Sequence, residues 1–285
     1  MVGRALVQRC EALDDEVFGC DHQALEISDP AAVMQTILEK RPEAVINCAA
    51  WTDVDGCELD PDRSYSANAA GPENLAKASA SVGASLITVS TDYVFDGSKE
   101  GFYTQSDLPN PISVYGRSKL EGEVRALAAH IGGTTVVRTG FVFGVGGTNF
   151  LSTIVERARR GEKLKAISDS YGTPTYAWDL AVRLRKLAEL RHHGIFHVVN
   201  SGNGVSYEEF ARAALNVAGF ASAQLDTVKM NSLSRPAPRP RNSRLRCLAS
   251  EELGLQPLPF WEDSLKDYLA FDRSQTGKNG AAAKG

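Results

Sequence analysis

Three short apolar runs constrain this chain more than any other feature: Ala44-Val45-Ile46-Asn47-Cys48-Ala49-Ala50, Ser85-Leu86-Ile87-Thr88-Val89-Ser90 and Val136-Val137-Arg138. A run that is apolar without alternation suits a strand buried on both faces, as in a parallel sheet covered by helices. Between the runs lie stretches long enough for a helix. The alternation predicts an α/β protein built on a doubly wound parallel sheet.

Along the chain, Val2, Ala5, Leu6, Val7 and Leu13 recur at helical spacing, so the sequence begins inside a helix, and 16–20 reads as a short strand ending at Asp21. Asp29 and Pro30 cap a helix over 30–40. A long helix is expected over 62–82, and Ser113 caps another through about 130. Gly140 to Gly147 form a glycine-rich loop before a helix over 149–160. Strands are expected at 164–167 and 195–199, and helices at 176–190, 206–218 and 260–271. The proline-punctuated basic stretch 235–241 reads as an extended loop. This gives one α/β domain over 1–150, a smaller lobe over 151–272, and a disordered tail over 273–285.

Composition narrows the class of function. The 285 residues carry a formal net charge of -4, which offers no electrostatic pull toward nucleic acid or an anionic membrane. No apolar run reaches the roughly 18 to 20 residues needed to span a bilayer. Cys10, Cys20, Cys48, Cys57 and Cys247 are odd in number and scattered, so neither a zinc site nor a disulfide framework is expected, and no metal is assigned. A reducing cytoplasm is the expected compartment.

The chemistry gathers around Tyr115, Lys119 and Thr91. Tyr115 and Lys119 are four apart and share one helix face, where a lysine cation is expected to lower the phenol's pKa and ready it for proton transfer. Ser90 and Thr91 follow the apolar strand 85–89 directly, at the carboxyl end where open α/β sheets bind ligands. A hydroxyl there can hold the oxygen that Tyr115 protonates. Taken alone, Tyr-x-x-x-Lys or a terminal Ser-Thr pair reads equally as packing and strand termination.

Six ordered blocks change that balance: Asn47 to Asp55, Ser90 to Gly97, Tyr115 to Glu123, Gly147 to Phe150, Asp169 to Thr175 and Arg235 to Pro240. In this order, over about residues 2 to 272, they resemble the dTDP-4-dehydrorhamnose reductases of the extended short-chain dehydrogenase/reductase family. The resemblance implies a Rossmann-type fold, NADPH or NADH as cofactor, and a nucleotide-sugar substrate reduced at its C4 ketone, with a homodimer open as the assembly. It implies Tyr115 as the acid, Lys119 as holder of the nicotinamide ribose and Thr91 as a ligand of the same oxygen. Gly3, Asp21, Ala49, Ala50, Trp51 and Ser90 would meet the cofactor. Thr52, Val54, Asp55, Phe141, Asn149 and Arg239 would meet the substrate, a diphosphate calling for guanidinium and backbone donors.

Two departures stand out. The family opens with a strand and a Gly-x-x-Gly-x-x-Gly turn, of which only Val2-Gly3-Arg4-Ala5-Leu6 is present, so the first and central strand is expected to be lacking, about ten residues in all. A start placed too late accounts for this more simply than a loss of dinucleotide binding, since Tyr115, Lys119 and Thr91 are intact. Phe141 stands where the reductases usually carry tryptophan, which bears on the choice of sugar. Asp21 suits a ribose 2′-hydroxyl and leans toward NADH without excluding NADPH. Two other classes compete with this reading: a non-catalytic binder resembling the regulatory subunit of methionine adenosyltransferase, and a nucleotide-sugar epimerase or dehydratase. The latter is disfavoured because no acidic pair follows Thr91.

Overall fold

The computed structural model describes the backbone of residues 1–282 and the side chains of residues 1–271. Helix α1 spans Val2–Glu11 and α2 spans Pro30–Lys40, the latter capped by the Asp29 carboxylate, which accepts from the amides of Ala31 and Ala32 at 2.9 and 3.1 Å. Strand β1, Ala44–Asn47, is followed by α3 (Val54–Leu59), α4 (Pro61–Tyr65), a π-helical turn at Ser66–Ala70, and α5 (Gly71–Val82). The single helix expected over 62–82 is therefore broken by a π turn. Next come β2 (Ser85–Thr91), α6 (Val114–Ala129), β3 (Thr134–Thr139), β4 (Val142–Phe143) and α7 (Phe150–Arg159). The remainder holds β5 (Leu164–Ile167), β6 (Tyr171–Gly172), β7 (Thr175–Tyr176), α8 (Ala177–Leu190), β8 (Gly194–His197), β9 (Val205–Ser206), α9 (Tyr207–Ala218), β10 (Leu225–Val228), α10 (Ala249–Glu252) and α11 (Trp261–Ala282).

The main sheet is parallel, in the order β1-β2-β3-β8. Its residues alternate between two apolar layers, as the unbroken apolar runs require. Leu86 packs with Val33, Ile37, Leu75 and Ala126 beneath α2, α5 and α6, while Ile87, Val137 and Phe196 pack with Leu6, Leu180 and Leu184 of α1 and α8. A second core lies around Phe143, Leu151, Phe210, Trp261 and Leu265, and a third joins α7 and α9 to the parallel pair β5 and β10.

Two expectations are corrected. Residues 16–20 form no strand, because a strand exists only through a ladder partner, and among the described residues the outer edge of β1 has none. The tail expected to be disordered from 273 continues α11 as far as Ala282, since a helix anchored by buried Trp261, Leu265 and Leu269 propagates one bond per residue added. Residues 283–285 lie outside the described residues. No helix among the described residues is long and apolar enough to cross a membrane.

Candidate active site

Strand β2 ends in Ser90 and Thr91, whose side chains alternate across the sheet at its carboxyl end. Thr91 Oγ1 accepts from the Tyr93 amide and donates to Asp92 Oδ1, both at 3.1 Å. Ser243 Oγ donates to the other Asp92 oxygen at 2.5 Å. Burial without a cationic partner pushes the Asp92 carboxyl up to about 6, against the pull of the Ser243 and Thr91 hydroxyls.

Helix α6 brings Tyr115 and Lys119 to this strand end. Its amino terminus is capped by Ser113 Oγ, which accepts from the Gly116 amide at 3.2 Å. Two glycines let it approach closely: a Cβ on Gly116 would lie 2.3 Å from the Tyr93 carbonyl, and one on Gly122 would lie 2.1 Å from the Asn68 carbonyl. Tyr115 is buried, its ring edge against Tyr93 with centroids 5.9 Å apart. Lys119 is buried too, and its Nζ donates to the Val89 carbonyl at 2.7 Å.

The electrostatics differ from the expectation that Lys119 lowers the phenol. Burial raises the Tyr115 phenol above its ordinary range and Asp92 adds to this, while a hydrogen bond with Thr91 works the other way. A phenol of ordinary pKa is already protonated at neutral pH, and this shift keeps it so. Burial lowers the Lys119 ammonium to about 8, opposed by the charge of Glu123 and then by Cys48. Burial thus disfavours both charged forms, the phenolate and the ammonium, and outweighs any pull of the lysine on its neighbour.

On the β1 side, Asn47 Oδ1 accepts from the Ala49 amide at 3.0 Å, turning the chain out of the strand. Ala50 follows, and Trp51 is clamped by Asn68: the Trp51 amide donates to Asn68 Oδ1 at 2.9 Å, and Asn68 Nδ2 donates back to the Trp51 carbonyl at 3.0 Å. The π turn is what carries Asn68 into this position. Exposed Thr52 precedes Asp53, which caps α3, and Val54 begins that helix. Gly3 lies in the first turn of α1, where a Cβ would meet Cys48 at 3.7 Å. Asp21 is exposed, and its carboxyl is held low by the amides of Ala24 and Gln23.

Residues from the second half close the other side. Phe141, in the left-handed region at φ 44°, stacks on Tyr207 with centroids 4.2 Å apart. Tyr93, Tyr207, Arg235 and Arg239 line one small cavity. Arg239 holds Asp55 in a two-point ion pair at 2.7 and 2.8 Å, which keeps the Asp55 carboxyl below its usual range. Asn149 is committed elsewhere, capping α7 through the Ser152 amide and donating to the Gly144 carbonyl at 3.0 Å. Among the described residues no group of three or more His, Cys, Asp or Glu side chains could hold a metal ion.

A family model described as the RmlD substrate binding domain matches residues 1–273. The chain belongs to this family. A dTDP-4-dehydrorhamnose reductase of Mycobacterium tuberculosis is 40% identical over 88% of this chain and 83% of that protein. A crystal structure of a dTDP-4-dehydrorhamnose reductase from Clostridium acetobutylicum superposes with TM-score 0.91 at 37% identity, covering 95% of this chain and 96% of that one. Another, from Bacillus anthracis in complex with NADP, gives TM-score 0.89 at 32% identity and covers 94% and 95%.

In this member of the RmlD substrate binding domain family, Thr91, Tyr115 and Lys119 come together, and Asp55 and Arg239 meet each other. Asn149 caps α7. Asn68, Asp92, Tyr207 and Glu123 were missed. A run of small residues inside an expected helix, Ser66-Ala67-Asn68-Ala69-Ala70, is the one signal that could have drawn attention to Asn68.

Two buried groups here pull stability in opposite directions with pH. His197 is lowered to about 4 by burial and by the nearby Arg138 charge, so its contribution is present above its ordinary value and lost as pH falls toward 4. Asp92 is raised, so its contribution is present at low pH and lost as pH rises through about 6. From the shifts, each amounts to about 3 kcal/mol. Asp92→Asn is therefore expected to steepen the loss of stability between pH 6.5 and 4, followed by urea unfolding at each pH; an unchanged slope would refute the assignment.

Proposed function

We propose that this chain catalyses the NAD(P)H-dependent reduction of the C4 ketone of dTDP-4-dehydro-6-deoxy-L-mannose to dTDP-L-rhamnose. The observation that carries this reading is the burial of Tyr115 beside Thr91 at the end of a parallel strand, with Lys119 buried one turn further along α6. Tyr115 gives its phenolic proton to the C4 oxygen. Thr91 holds the same oxygen by turning its hydroxyl hydrogen away from Asp92, which keeps its bond from Ser243. The names of the mycobacterial relative and of the two solved structures support the reading.

The described residues suit a dinucleotide at its nicotinamide end, where Lys119 offers an ammonium for the ribose and Ala49 to Trp51 form the wall. Reduced nicotinamide, when bound, supplies the hydride. The Asp55–Arg239 pair and the Tyr93–Tyr207–Phe141 aromatic row would bound the nucleotide-sugar. The proposed division is cofactor binding over 1–150 and mainly substrate binding over 151–272, in a cytoplasmic homodimer. Incubating the purified chain with NADPH or NADH and the 4-keto sugar nucleotide should consume reduced nicotinamide and yield dTDP-L-rhamnose. Failure with both cofactors overturns the proposal.

A further inference from the structure

A row of polar side chains crosses the main sheet below the site. Ser90, Arg138 and His197 are register partners on β2, β3 and β8, so their side chains project from one face at one level. That face is the one α6 covers, and Glu123 of α6 descends onto the row. Glu123 accepts from Ser90 Oγ at 2.5 Å, from Arg138 Nε at 3.0 Å and from Arg138 Nη2 at 2.7 Å. Both partners of the ion pair are at most 3% exposed. The far side of Arg138 lies over the Phe95 ring at 5.3 Å. A fully buried ion pair rarely adds stability over an apolar replacement, so its presence calls for another reason.

Position supplies one. Glu123 is four residues after Lys119 and therefore lies on the same helix face, one turn further from the strand ends. Lys119 is faced by Glu123 from its own helix and by Cys48 from the turn after β1, and Tyr115 lies one turn before it. Ser90 and Arg138 grip Glu123, and the Met1 amine faces Cys48. Only Glu123 among these brings a carboxylate to the lysine.

We propose that Glu123 is a positioning residue: gripped by Ser90 and Arg138, its carboxylate fixes α6 on the strand ends and keeps buried Lys119 in its ammonium form. The inference rests on the reductase reading for its purpose, since an ammonium is what Lys119 would offer a ribose. Its test does not need turnover. The Lys119 13Cε resonance in lysine-labelled, cofactor-free protein, assigned by its loss in Lys119→Met, reports the titration directly, with a midpoint expected at about 8. In Glu123→Gln the midpoint should fall by about one pH unit or more, a tenfold loss of proton affinity. Should that variant fail to fold, the double variant Glu123→Gln/Arg138→Met removes both charges of the pair, and its midpoint should still fall, by less, because the loss of the more distant Arg138 cation partly offsets the loss of the carboxylate. A folded variant of either kind with an unmoved Lys119 midpoint overturns the inference. With turnover, the alkaline limb of kcat should move down by the same amount in Glu123→Gln. Wild-type protein with no reductase activity would overturn the reductase reading alone, because the titration is read without substrate.

Discussion

Tyr115→Phe is expected to lower kcat about a thousandfold, the usual scale for removing a positioned general acid, while leaving cofactor affinity within about twofold. The argument rests on how little else the substitution changes. The ring keeps its edge contact with Tyr93 and its buried seat at the start of α6. What disappears is the phenolic proton, which burial makes still harder to lose to solvent. Thr91 cannot replace it, since an aliphatic hydroxyl can hold the oxygen by a hydrogen bond but is too weak an acid to give up its proton. Steady-state rates of nicotinamide oxidation, with cofactor binding followed by fluorescence, separate the two effects. A variant that turns over normally would remove Tyr115 from the mechanism.

Arg138→Met is expected to cost about 3 to 5 kcal/mol, the range for leaving one partner of a buried pair uncompensated. Glu123 would keep only its bond from Ser90 in a site that solvent does not reach. Since one kcal/mol moves the midpoint of a chain this size by about 2 °C or more, a drop on the order of 10 °C follows. The double variant Glu123→Gln/Arg138→Met should recover most of that loss, because it removes the stranded charge. Calorimetry of the two proteins side by side checks both statements. Equal losses in the two would show that packing of the arginine stem on Phe95, rather than charge, carries the effect.

Local spacing made the centre of the site legible in the sequence. Tyr115 and Lys119 share a face because a helix repeats every 3.6 residues, and Thr91 sits at a rim because the apolar run before it stops there. What escaped depends on partners distant in the chain. Glu123 looks like a solvated helix residue until the register of β2 and β3 places Ser90 and Arg138 beneath it. Asn68 needs a π turn that no propensity scale marks. The failure at 16–20 is of the same kind, since β-branched and aromatic residues favour a strand only when a ladder is there to receive them. The phenol's environment was misjudged for a related reason. Proximity of Lys119 can be read from spacing, but the depth of burial that outweighs it cannot.

The polar row beneath the site also says something about the order in which the molecule comes together. Ser90, Glu123, Arg138 and His197 arrive from four separate elements. Their charges and hydroxyls can shed water only once β2, β3, β8 and α6 are docked at the right level, for any earlier drying would leave a bare charge in an apolar layer. The row therefore acts as a late checkpoint: apolar collapse brings the strands together, and the ion pair closes only over the correct alignment. Weakening it should leave the speed of assembly largely intact and hasten opening, so its value to the cell lies in how long the folded molecule lasts.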